Sequence, residues 1–181
     1  MVEAEKRKVM NRYRPEKIGL ILRGGAILLL LAGCFAWAPE RPATPPDDTA
    51  QAETAARAFF EALHDRDYEK AVELYGGSYD VLTSMNPDLD PADGPALFAQ
   101  GCQFNGFTCL RMGEVLGAAR SGEGEYTLMV QFLREDGEIF VLGPCCGADE
   151  TEMPPLSEFP IRVIEDESGV YKVLDLPPYV P

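Results

Sequence analysis

Ala55-Ala56-Arg57-Ala58-Phe59-Phe60-Glu61-Ala62-Leu63 and, beyond a three-residue gap, Asp67-Tyr68-Glu69-Lys70-Ala71-Val72-Glu73-Leu74-Tyr75 are the stretches whose reading decides the architecture. In the first, Ala52, Ala56, Phe59, Phe60 and Leu63 recur at helical spacing, while Glu53, Arg57, Glu61 and His64 fall on the opposite face with (i, i+4) charge pairs. Asp47, Asp48 and Thr49 offer an N-cap, and Asp48 with Gln51 has capping-box spacing, so a helix is expected over 49–65. His64 then projects to solvent at its end, with no nucleophile or base placed beside it. In the second stretch Asp67 is the cap, Tyr68, Ala71, Val72 and Tyr75 form the buried stripe, and Gly76-Gly77 ends the helix.

Moving outward, 78–85 reads as one more turn. Asn86-Pro87 and Asp90-Pro91 mark a loop, and Pro95, in a first-turn position, opens a helix running to Gly101. From Cys109 the period changes to two. Strands are expected over 110–120, 125–135, 138–142, 159–165 and 170–176, joined by turns at Ser121-Gly122-Glu123-Gly124, Asp136-Gly137 and Asp166-Glu167-Ser168-Gly169. Tyr126, Leu128, Val130 and Phe132 alternate with Thr127, Met129, Gln131 and Leu133, so one sheet face is packed and the other partly wet. The fold class is therefore α+β: three N-terminal helices packed on a curved antiparallel sheet of about five strands.

Upstream lies a different kind of sequence. Lys6, Arg7, Lys8, Arg12, Arg14, Lys17 and Arg23 precede an apolar run that closes in Leu31-Ala32-Gly33-Cys34. Arg23 interrupts the apolar residues and only about eight to ten follow cleanly, half of the ~20 that a span needs. A branched residue, two small ones and a cysteine at this place resemble a bacterial lipoprotein signal peptide. The resemblance implies that residues 1–33 are removed. Cys34 then carries a diacylglycerol thioether with palmitate-type chains, and the rest is held at the extracytoplasmic face of a cell membrane, or of an outer membrane if the host has one. An uncleaved anchor is the competing reading, and Met10 is an alternative start that leaves the mature chain unchanged. Residues 34–48 form a tether, because four prolines in Pro39–Pro46 favour extended chain, lifting the domain at 49–181 off the bilayer by up to about 30 Å.

Charge narrows the partners. After residue 33 nine basic residues face 27 acidic ones, a formal charge of −18, whose field repels nucleic acid and anionic lipid surfaces alike. Four cysteines remain beyond Cys34: Cys102, Cys109, Cys145 and Cys146. Their spacing is not a zinc pattern, and in an oxidising compartment an even count reads as two disulfides. Adjacent cysteines bridge each other at a cost in ring strain, which favours pairing each of Cys145 and Cys146 with one of Cys102 and Cys109. A simple meander would separate those segments, so a local Cys102–Cys109 bridge beside a vicinal Cys145–Cys146 pair stands as the alternative, with thiol-redox chemistry at that pair a further possibility. Asp88, Asp90 and Asp93-Gly94 resemble a calcium loop, but the third acid comes one residue late and Ala99 stands where the closing glutamate belongs. They read instead as an acidic turn leading into the next helix, so no metal or cofactor is expected.

The two helical stretches quoted first, together with Val170-Tyr171-Lys172-Val173-Leu174-Asp175-Leu176-Pro177-Pro178, resemble the opening and the closing strand of nuclear-transport-factor-2-like domains. The resemblance implies a cone, with the sheet wrapped round the helices and an apolar pocket that Tyr68, Tyr75, Tyr79 and Phe59 would line. Such cones include steroid isomerase-like and polyketide cyclase-like enzymes, which use an aspartate or histidine with a tyrosine. Asp80 is near in sequence, yet no catalytic motif is matched, so no catalytic residue is assigned. The first expectation is a non-enzymatic domain that binds a protein partner or a small apolar ligand. The alternative is a pocket enzyme of those two types.

Mass spectrometry of the protein taken from its native envelope is expected to find Cys34 as the amino terminus, carrying acyl chains. An intact terminus with an unmodified Cys34 contradicts the anchor.

Overall fold

The computed structural model describes residues 48–180. The expected signal segment, Cys34 and the expected tether up to Asp47 lie outside the described residues.

Helix α1, Asp48–His64, buries Ala52, Ala56, Phe59, Phe60, Ala62 and Leu63, the stripe its spacing demands. Helix α2, Tyr68–Leu74, follows, and the Asp67 carboxylate accepts from the Lys70 N–H at 3.1 Å. The turn at 78–85 is a helix in its own right, α3, Asp80–Met85, and α4 covers Gly94–Gln103. Four helices are thus formed among the described residues where three were expected. Asp93 caps α4, its Oδ1 accepting from Ala96 N–H at 3.1 Å, and Asp90 Oδ1 accepts from Ala92 N–H at 2.9 Å. These carboxylates hold the turn that starts the helix.

The helix-ending glycines act by size rather than by conformation. A Cβ on Gly77 would come 2.2 Å from the Leu174 carbonyl oxygen, and the neighbouring Gly76 N–H donates to Val173 O at 2.8 Å. The chain leaving α2 is therefore pressed flat against the sheet, where only glycine fits.

The sheet is a four-stranded antiparallel meander in the order β1-β2-β3-β4, with β1 at Arg111–Gly122, β2 at Glu125–Leu133, β3 at Phe159–Glu165 and β4 at Tyr171–Val173. Three irregularities interrupt the β1–β2 register, as expected of a strand that bends and twists along an edge. Residues 138–142, expected as a strand, form none. Arg134 and Glu138 close a turn, Phe140 N–H donates to Phe132 O at 2.8 Å, and the chain then leaves. The reason is competition for one edge: β3 pairs with β2 from Val130 to Glu125, leaving only the last residues of β2 for anything else. Residues 170–176 shrink likewise to three ladder residues, because Asp175 turns its carboxylate onto Arg162, 2.6 Å from Nη2.

Helix α1 lies across the buried face of this sheet. Phe60 meets Phe132 edge-on at 4.8 Å between ring centres, and Phe132 meets Phe159 at 5.6 Å. Along β2 the side chains of Tyr126, Leu128, Val130 and Phe132 are all buried while their neighbours are not, the alternation read from the sequence. The chain end clips onto the loop before β1: Thr108 N–H donates to Pro178 O at 2.8 Å and Val180 N–H to Gly106 O at 2.9 Å. Among the described residues no helix is long and apolar enough to cross a membrane.

Phe60→Ala is expected to lower unfolding free energy by about 3–5 kcal/mol in urea titration. Leu116→Ala, on the exposed part of β1, should change it by less than about 0.5 kcal/mol.

Candidate functional site

The expected pocket residues part company. Phe59 and Tyr75 stack at 5.6 Å, Tyr75 meets Tyr79 at 5.1 Å, and Phe98 packs on all three. The Tyr75 hydroxyl donates to Ser78 O at 2.9 Å. Burial holds both tyrosine hydroxyls above their ordinary pKa, since the phenolate is the form that suffers from lost water. These three residues form a filled aromatic core. Asp80, the acid near them in sequence, is exposed on α3. Among the described residues no polar or charged side chain is buried in the core.

Tyr68 goes elsewhere. It is part of the wall of an open cleft of about 440 Å³ at the C-terminal end of α1, together with His64, Arg66, Gln103 and Glu135. A second hollow of about 350 Å³ shares His64 and Glu135 and adds Arg111 and Arg134. The cleft is built by the way α1 stops. Arg66 N–H donates to Leu63 O at 3.2 Å and Asp67 N–H to Ala62 O at 2.8 Å, the paired bonds of a Schellman ending. The residue that must turn left-handed in this motif is normally glycine, and here it is Arg66, at φ 64°. A side chain in that conformation costs about 1–2 kcal/mol, so the chain holds an arginine at the rim against a local preference for glycine.

Around Arg66 the polar groups are placed by neighbours of different origin. His64 Nδ1–H donates to the Cys109 carbonyl at 3.3 Å, which fixes the orientation of the ring. Gln103 Nε2 donates to the Tyr68 hydroxyl at 3.2 Å, joining α4 to α2. Arg111 pairs with Asp65 at 3.0 Å, whereas Arg66 and Arg134 have no ion-pair partner among the described residues. Glu135 lines both hollows, so three arginines stand there against two carboxylates, Asp65 and Glu135.

The disulfide lies in the same wall. Cys102 on α4 is bonded to Cys109, with Cα atoms 5.5 Å apart. It ties the end of α4 to the start of β1 and fixes the carbonyl that orients His64. The favoured cross-pairing with Cys145 and Cys146 is therefore not formed; both are free thiols. The meander explains this, since the excursion between β2 and β3 departs from the sheet with Leu142 pinned to Leu156. The two thiols lie 2.8 Å apart, and the hydrogen bond they share raises the Cys145 thiol pKa.

Reading the sequence as helices and strands missed His64, Arg66, Gln103, Arg134 and Glu135. His64 is half-buried rather than a free surface group. One signal was present: no glycine or asparagine occurs between Leu63 and Asp67, so a helix ending there forces a left-handed turn on a residue with a side chain.

No protein-family profile matches the chain, and no curated protein matches it. One solved structure that it resembles is a provisionally assigned dehydratase of the nuclear-transport-factor-2-like family from Streptomyces avermitilis. The two are 16% identical, with a TM-score of 0.40, over 74% of this chain and 95% of that one.

Replacing Cys102 and Cys109 together by serine is expected to lower unfolding free energy by about 2–4 kcal/mol. The same change should loosen His64, seen as line broadening of its ring signals in NMR spectra.

Proposed function

We propose that this is a binding domain of nuclear-transport-factor-2-like architecture, held through lipidated Cys34 at the extracytoplasmic face of a membrane. Its recognition element is the cleft at the end of α1. The architecture is supported by the α1–α2 pair crossing a curved antiparallel meander. Arg66 carries the assignment of the site: a left-handed arginine beside His64 and near Arg111 and Arg134 is retained at a cost in stability, as happens where a side chain is used. The ligand chemistry that fits is anionic, because guanidinium groups bind carboxylate and phosphate oxygens in a forked geometry. An acidic small molecule or the acidic end of a protein partner satisfies it.

The apolar ligand expected in a cone interior finds no support, since Phe59, Tyr75, Tyr79 and Phe98 fill that space with one another. The isomerase or cyclase alternative needs a carboxylate or histidine facing a tyrosine within the pocket. Tyr75 instead hydrogen-bonds to a backbone carbonyl, and Asp80 is exposed.

Phosphate and succinate serve as probes. Saturable NMR shift changes confined to the amides of His64, Gln103 and Arg134 are expected on adding either. Arg66→Gly should stabilise the fold by about 0.5–1 kcal/mol while weakening anion binding at least about tenfold, ~1.4 kcal/mol. Undiminished binding in that variant, or shifts spread over the whole surface, refutes the assignment.

A further inference from the structure

A second group of chemistry-bearing side chains lies away from the α1 cleft, on the excursion between β2 and β3. Its ends are tied by two reciprocal hydrogen bonds, Leu142 N–H to Leu156 O at 2.8 Å and Leu156 N–H to Leu142 O at 2.9 Å. Within it the chain folds back on itself. Asp149 Oδ1 accepts from Thr151 N–H at 2.8 Å and Glu152 N–H at 3.0 Å, and Met153 N–H donates to Asp149 O at 2.8 Å. That turn returns Met153 to the beginning of the loop, where its Sδ accepts a hydrogen bond from the Cys145 N–H at 3.5 Å. Beside it the Cys145 and Cys146 sulfurs are 2.8 Å apart. The Met153 thioether is thus held against the backbone of the residue that carries one of the two paired thiols.

We infer that Cys145, Cys146 and Met153 form a binding site for a soft monovalent cation, of the chemical class of Cu(I) and Ag(I). Thiolate and thioether sulfurs are polarisable donors that favour such ions, whereas calcium, magnesium and manganese take oxygen ligands. Structural zinc sites are closed by four nitrogen, sulfur or carboxylate ligands and catalytic ones by three, and among the described residues no group of three or more histidine, cysteine or acidic side chains is assembled. A two-thiolate, one-thioether set lacks the fourth donor that structural zinc takes and suits an ion content with fewer. The surroundings agree: the loop borders a hollow of about 570 Å³ lined by Phe140, Val141, Leu142, Pro144 and Val180 beside the two cysteines, so one flank of the sulfurs is apolar. On binding, both thiols release their protons to solvent, two metal–sulfur bonds form, and the Met153 thioether adds its lone pair. No electron is transferred. The site stands independently of the anion cleft.

The test uses the full chain carrying Cys34→Ala, in detergent and chloride-free buffer, so that Cys145 and Cys146 are its free thiols. Native mass spectrometry and calorimetric titration with silver nitrate are expected to show one Ag(I) per chain, with about two protons released. Cys146→Ser should weaken binding at least about a hundredfold and Met153→Leu about tenfold, with urea midpoints unchanged for both, and Zn(II) should bind far more weakly than Ag(I). Absence of a retained ion, proton release near zero, or an affinity that neither substitution alters overturns the inference. So does an unchanged affinity in Met153→Leu alone, because the third sulfur is what separates this site from an ordinary pair of thiols.

Discussion

The contact on which the structure depends is the closure of α1 against the sheet. A 17-residue helix with two adjacent phenylalanines has an apolar stripe too wide to leave in water, and most of a helix's stability in a protein comes from packing such a face. Phe60 settles on Phe132 and Phe159, and Phe59 on Tyr75 and Phe98. The two rings therefore point to two different partners, one in the sheet and one among the short helices. This double engagement places α2 and α4 relative to β2, and the remaining elements take up what surface is left.

A core closed in this manner has a functional consequence. Where a wide helix face and several aromatic rings fill the interior, chemistry moves to the edges. Both polar features stand where the chain ends or departs: one at the end of α1, the other on the excursion that leaves β2. The two non-glycine residues with left-handed backbone among the described residues, Arg66 and Cys146, belong one to each. Local strain and accessible reactive side chains coincide in this molecule, and neither lies in the space that the aromatic cluster occupies.

Periodicity made the core legible. The α1 stripe and the β2 alternation reappear residue for residue, because burial of those side chains outweighs every other local preference and its spacing is written directly in the chain. Residues 138–142 misled because Ile139, Phe140, Val141 and Leu142 have strand composition, while the edge they would join is taken by β3, a long-range fact that no local pattern contains. The disulfide was legible as chemistry and not as pairing: four cysteines fix no connectivity. Of the α1 cleft only Tyr68 was named beforehand, and for a different pocket, since its parts come from 64, 66, 68, 103 and 135 and only the fold brings them together. Tyr75 and Tyr79 were expected to line a pocket and pack against other rings instead, because whether a ring lines a void or fills it depends on its neighbours' volumes.

The length of α1 sets a distance. At 1.5 Å of rise per residue its 17 residues extend about 25 Å, and the proline-rich segment joins at one end while Arg66 follows the other. Arg66 therefore stands a full helix length from the first residue of α1, and whatever is joined to the start of that helix does not crowd the rim at its far end.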